Sequence, residues 1–186
     1  ASSRARRSEF VSPRRVRARV MAHAAHVMGA LGAVPFVGLT PQARDALGLR
    51  AVASGETCAR AQIAYGATIL SFLGGIHWGL AAVKHTVVKH WNPTPAQLTA
   101  RYAWSVTPSL LAWAALSAPS EVAACGTLMG GLLACAGVDT VYARAGGYPR
   151  WLLPMRYGLT AAATLSLAAT AFRGADEGER SKSKRR

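Results

Sequence analysis

The chain has 186 residues, 51% of them apolar, yet Lys and Arg outnumber Asp and Glu 22 to 8. The charges gather at the ends and between long apolar blocks that hold almost none. This argues against a soluble all-α domain, whose helices would carry a polar face at helical spacing; residues 122 to 138 offer no charged position on any face.

The first twenty residues, ASSRARRSEFVSPRRVRARV, are rich in Arg and Ser and poor in acids, as organelle targeting segments are. They are expected to be a basic arm that follows a cleaved presequence; the alternative is a bacterial chain whose arm lies on an anionic lipid surface. A helix needs about 20 mostly apolar residues to cross a membrane. Five stretches meet this or come close: 21–40, 61–83, 102–118, 121–143 and 152–172, with four spans as the alternative count. The loop PQARDALGLRAVASGETCAR has room for a short interfacial helix, and Asn92, Pro93, Thr94 and Pro95 mark a turn followed by a helix start. The fold expected is all-α, a polytopic membrane bundle of about five transmembrane helices with basic N- and C-terminal arms. Its parts are a basic N-terminal arm (1–20), a five-helix transmembrane domain (21–172) and a charged C-terminal tail (173–186). Both arms are expected to have little structure of their own and to lie along neighbouring subunits.

Trp91, Tyr102, Trp104, Tyr148 and Trp151 fall near span ends, where amphipathic rings favour the interface. With five spans, the N-terminal arginines share one side of the membrane with Lys84, Lys89, Arg101, Arg144, Arg150 and Arg156. The positive-inside rule then puts the N-terminus in the matrix or cytoplasm and the C-terminus outside. Gly75 with Gly79, and Gly126 with Gly130, stand at the four-residue spacing that marks close helix packing, and they are assigned to the contact faces of the bundle.

Ionisable groups inside spans are functional candidates by default. His77 lies about 7 Å, and Asp139 roughly 10 Å, past the centres of their spans toward the inner face. Arg101 and Arg156 begin their spans on that face, as do His23 and His26. The convergence admits a structural account, in which Asp139 pairs with Arg101, Arg144 or Arg156 and His77 hydrogen-bonds a neighbouring helix. It also admits a short proton path, and a haem or metal site built from His23, His26 and His77. The ligand reading favoured over these is a lipid: Lys84, Arg101, Arg150 and Arg156, with Trp78 and Trp104, would form a basic inner-leaflet rim for cardiolipin. No metal and no cofactor other than such a phospholipid is expected.

Cys58, Cys125 and Cys135 have no metal-ligand spacing, and the last two, on one straight helix, cannot bridge. Free thiols are expected. With no phosphate-binding glycine loop, no nucleophile elbow and no paired carboxylates, no enzyme is expected. The arms lack aromatics apart from Phe10, so nucleic acid is not an expected partner.

The stretches YGATILSFLGGIHWGLA (65–81), RYAWSVTPSLLAWAAL (101–116), VDTVYAR (138–144) and LLPMRYGLT (152–160) together resemble the transmembrane protein 69 type family, small multi-spanning proteins with a domain of unknown function. The likeness runs from about residue 27 to residue 170. It implies a bundle in the mitochondrial inner membrane or the bacterial plasma membrane, and it implies no chemistry. Taken together, these readings point to an accessory structural subunit of a large mitochondrial inner-membrane complex of the respiratory chain or ATP synthase, with other subunits and anionic lipids as partners. A stand-alone small-solute transporter or assembly factor is the alternative.

Overall fold

The computed structural model describes residues 13–48, 54–83 and 91–183, apart from the side chains of 13–22 and 177–182. Among them are six α-helices: α1 (Pro13–Gly38), α2 (Pro41–Ala46), α3 (Gly55–Ala82), α4 (Pro95–Leu116), α5 (Glu121–Arg144) and α6 (Leu153–Ser183). A single 3-10 turn, Arg150–Leu152, leads into α6.

The helix starts are written in the sequence. Thr40, Ser54 and Ser120 each accept a hydrogen bond from the backbone N–H three residues on, which satisfies a donor the helix itself leaves open. Thr94 and Gln97 form a reciprocal capping box with Pro95 in the first turn. The turn expected at 92–95 is therefore present, and the short helix expected in the first loop is α2.

Each of the five long helices overlaps one of the five apolar stretches. Two of them, α3 and α5, are long and apolar enough to cross a membrane. Both arms need correction. Helix α1 already begins at Pro13, and α6 runs through the polar tail to Ser183, so neither 13–20 nor 173–183 lies apart from the bundle's helices. The reason is local: an existing helix adds one backbone hydrogen bond for each further residue it fixes, so it propagates into polar sequence that could not nucleate a helix alone. Residues 1–12 and 184–186 lie outside the described residues.

The core is small and tightly set. Leu70 of α3, Leu128 and Leu132 of α5 and Leu167 of α6 are buried among alanines. Helix α3 approaches α4 so closely at Gly74 that a Cβ there would run into the Ser105 carbonyl oxygen. At Gly131 of α5 an added Cβ would stand 2.6 Å from Leu70 Cδ2. The glycines singled out from spacing, Gly75, Gly79, Gly126 and Gly130, are instead exposed, and a Cβ on any of them would meet nothing within 4 Å. Their assignment to packing within the bundle is corrected. Each glycine doublet, Gly74–Gly75 and Gly130–Gly131, sends one member inward, and a four-residue spacing cannot tell which of two adjacent helical positions faces the core.

Helix α1 packs mainly on α6, the first long helix against the last, and both run in the same direction from the end that carries the α5–α6 turn. Gly29 of α1 seats the side chains of Met155 and Leu159.

Candidate functional site

At the α5–α6 end of the bundle, four helices contribute charged or polar side chains to one buried cluster. Asp139 of α5 is its centre. Its Oδ1 accepts a hydrogen bond from His77 Nε2 of α3 at 2.8 Å, and its Oδ2 accepts one from Arg156 Nε of α6 at 2.7 Å. All three residues are less than 10% exposed. Because an ionised carboxylate only accepts, the Nε2 of His77 carries the proton. Of the three arginines that could have paired with Asp139, the fold selects Arg156.

Arg101 of α4 is fully buried. Its guanidinium lies in the corner where the Trp91 and Tyr142 rings meet edge to face, 4.4 Å from each centroid, and Nη2 donates to the Gly147 carbonyl at 2.8 Å. The two rings replace part of the lost hydration, at about 0.5–2 kcal/mol for each contact. The acceptor is placed by the end of α5. Gly146 takes φ 78°, and the Gly147 N–H returns to the Tyr142 carbonyl at 2.7 Å, a Schellman closure that needs glycine at the left-handed position. Gly147 then lies under the Trp91 indole, where a side chain would be only 3.1 Å from the ring. Tyr148 follows into the interior beside His77. Burial, with the Asp139 carboxylate acting in the same direction, pushes its phenol up to about 12.

The cluster is incompletely satisfied. Among the described residues, Arg156 Nη2, Arg101 Nε and Nη1, His77 Nδ1 and Thr160 Oγ1 are buried without a hydrogen-bond partner. Two guanidiniums stand within electrostatic reach of the single Asp139 carboxylate, an excess of positive charge in a buried setting.

A second buried polar group lies toward the other end. Gln62 Nε2 of α3 donates to the Phe36 carbonyl at 2.6 Å, meeting an acceptor in the last turn of α1, and Gln62 Oε1 accepts from Thr170 Oγ1 of α6 at 2.7 Å. Arg173 and Glu121 join α6 to the start of α5 at 2.9 Å.

An apolar cavity of about 390 Å³ runs between α1, α3, α5 and α6. Arg156 and Thr160 line it near the first cluster, and Phe36 and Ala163 line it farther along.

The residues named from sequence divide sharply. His77, Asp139 and Arg156 meet, as convergence on one leaflet predicted. Arg101 and Arg156 do not form the basic rim expected with Arg150, because both are enclosed by partners while Arg150 and Trp78 stay exposed and Trp104 is half-buried. Lys84 lies outside the described residues. His23 and His26 are exposed on α1 while His77 is buried against Asp139, so the three do not gather around a metal. Among the described residues no group of three or more His, Cys, Asp or Glu could hold one. The cysteines are free and buried. Sequence reasoning missed Gln62, Thr160 and the Trp91–Tyr142 corner that holds Arg101. Only part of the signal for the last lies in the sequence, in Trp91 near a span end and Arg101 at the start of the next span.

Transmembrane protein 69 of Xenopus tropicalis is similar to the chain, 34% identical over 142 residues that make up 75% of this chain and 50% of that protein. The chain thus spans about half the length of this curated relative. No solved structure matches it. A family model described as "Protein of unknown function (DUF3429)" matches residues 21–172, the five long helices with the buried cluster between them, and the chain belongs to that family, the transmembrane protein 69 type.

Proposed function

We propose that the chain is a non-catalytic accessory subunit, a supernumerary structural component of a large mitochondrial inner-membrane complex of the respiratory chain or ATP synthase. Its five long helices span the membrane, with the N-terminus in the matrix and the C-terminus in the intermembrane space. The outer surface of the bundle carries this reading. Leu110, Trp113, Leu133, Leu165 and Phe172 are each more than half exposed, a surface that requires lipid or protein against it. Between them the exposed Gly75 and Gly79, and Gly126 and Gly130, leave smooth strips into which the helices of a partner fit. The polar groups, by contrast, are spent on holding the chain's own helices together toward the two ends of the bundle, which differs from the midplane site of a transporter. Exposed Arg144 and Arg150, beside the half-exposed Trp151, suit an anionic lipid such as cardiolipin. The mitochondrial address is suggested by the composition of residues 1–20, rich in Arg and Ser and poor in acids.

Native gel electrophoresis of mildly solubilised mitochondrial membranes, with mass spectrometry of the band that holds the chain, tests the proposal. Comigration with a respiratory or synthase complex supports it and names the complex. Migration as a small species overturns it in favour of a stand-alone transporter or assembly factor, the reading to which the apolar cavity lends weight.

A further inference from the structure

The cavity between α1 and α6 has the chemistry of a ligand site. Its volume, about 390 Å³, lies in the range of small-molecule pockets. Its lining residues on α1 run from Ala25 to Phe36, about 16 Å at 1.5 Å per residue, so it is elongated. The walls are almost wholly apolar. Met28 and Phe72, two of its lining residues, are each 64% exposed, so the cavity opens sideways onto the apolar outer surface of the bundle.

Two polar side chains break this lining. Arg156 is 7% exposed and Thr160 5%, one turn apart on α6, and both have a buried hydrogen-bonding atom without a partner: Nη2 of Arg156 and the hydroxyl of Thr160. Leaving a buried donor unmet is costly, and natural interiors rarely do so without a reason. Arg156 spends Nε on Asp139, but that carboxylate also faces the buried guanidinium of Arg101, so the local charge remains positive.

We propose that this cavity binds a long-chain carboxylate, the anionic head at the end lined by Arg156 and Thr160, whose Nη2 and Oγ1, covered in the ligand-free chain, turn toward it on binding, while the single hydrocarbon chain lies along α1 toward Phe36. Each component answers a feature of the site: an anion for the excess positive charge, an acceptor for two buried donors without partners, and one slender chain for an apolar tunnel entered from the lipid side. A diacyl phospholipid is too bulky for the volume. The site is independent of whether the chain is a complex subunit.

The test uses the full chain purified in a neutral sugar detergent and labelled with a diazirine-bearing palmitate, with the labelled peptides identified by mass spectrometry. Labelling is expected in the α1 and α6 segments that line the cavity, with excess oleate displacing the probe and oleyl alcohol failing to do so. Ala33→Leu, which fills the cavity from α1, should abolish displaceable labelling. Thr160→Val should weaken oleate competition about three- to tenfold, the range of one lost hydrogen bond. The same variant should leave the unfolding temperature of the ligand-free protein unchanged or higher, because it removes an unmet hydroxyl; this separates a binding role from a structural one. Labelling that oleate does not displace, labelling that Ala33→Leu leaves intact, or equal competition by oleyl alcohol overturns the proposal.

Discussion

At the Gln62 end of the bundle, the amide is used on both sides: Nε2 meets the Phe36 carbonyl, Oε1 meets Thr170, and no atom of either side chain is left open. At the Asp139 end the carboxylate is fully engaged by His77 and Arg156, yet Arg156, Arg101 and Thr160 keep buried donors without partners. Both groups join α3 to α6, and both are buried. A closed group locks helices together, whereas an open one does this and keeps capacity for something else. The difference marks where the chain holds itself together and where it can hold a ligand.

Six variants would break or sharpen that contrast. The largest effect is expected from Asp139→Ala, which strands the Arg156 guanidinium in the interior. Losing one partner of a buried ion pair costs about 3–5 kcal/mol, so the thermal unfolding of the detergent-solubilised protein should move far down. Gly74→Ala follows, because the obstacle to its Cβ is backbone, the Ser105 carbonyl, which cannot rotate away. Overpacking of this kind costs about 1–3 kcal/mol. The adjacent Gly75→Ala has open space around it and should instead stabilise by up to about 1 kcal/mol through helix propensity. If the two alanines shifted the unfolding temperature alike, the assignment of inward and outward glycines would be wrong.

Gln62→Met keeps the volume but abandons the Phe36 carbonyl and the Thr170 hydroxyl. A loss of about 1–3 kcal/mol is expected from unmet buried groups, read in chemical denaturation as an earlier midpoint. The smallest effects form the most direct comparison, since one substitution is made at each end. Thr170→Val should cost about 1 kcal/mol by removing a made hydrogen bond, and Thr160→Val should cost nothing or stabilise by removing an unmade one. Equal losses at the two positions would show that Thr160 has a partner after all.

Much of this architecture was legible in advance. Helix starts at Thr94 and Ser120 depend on neighbours in the sequence, and local chemistry suffices to place them. Asp139, His77 and Arg156 could be brought together from depth alone, because alternate helices run in opposite directions and depth follows from position along each. Rotation about a helix axis was not legible. The weakly patterned, Ala-rich helices offer no polar stripe with which to orient them, so spacing alone does not separate Gly74 from Gly75 or an enclosed Arg101 from a rim residue. Nor could the cavity be foreseen, since it depends on how far Met155 and Leu159 hold α1 from the remaining helices.

The partnership of α1 with α6 also constrains how the molecule is made. Synthesis releases α1 before α6, and Gly29 cannot receive Met155 until α6 has emerged. Contacts between such distant segments form late, after the loop entropy between them has been overcome. Helices α3, α4 and α5 can assemble while α1 waits with its inner face uncovered, and the arrival of α6 closes the bundle. The cavity comes into existence in that final step, so a molecule already present in the surrounding lipid could be enclosed as the protein completes its fold.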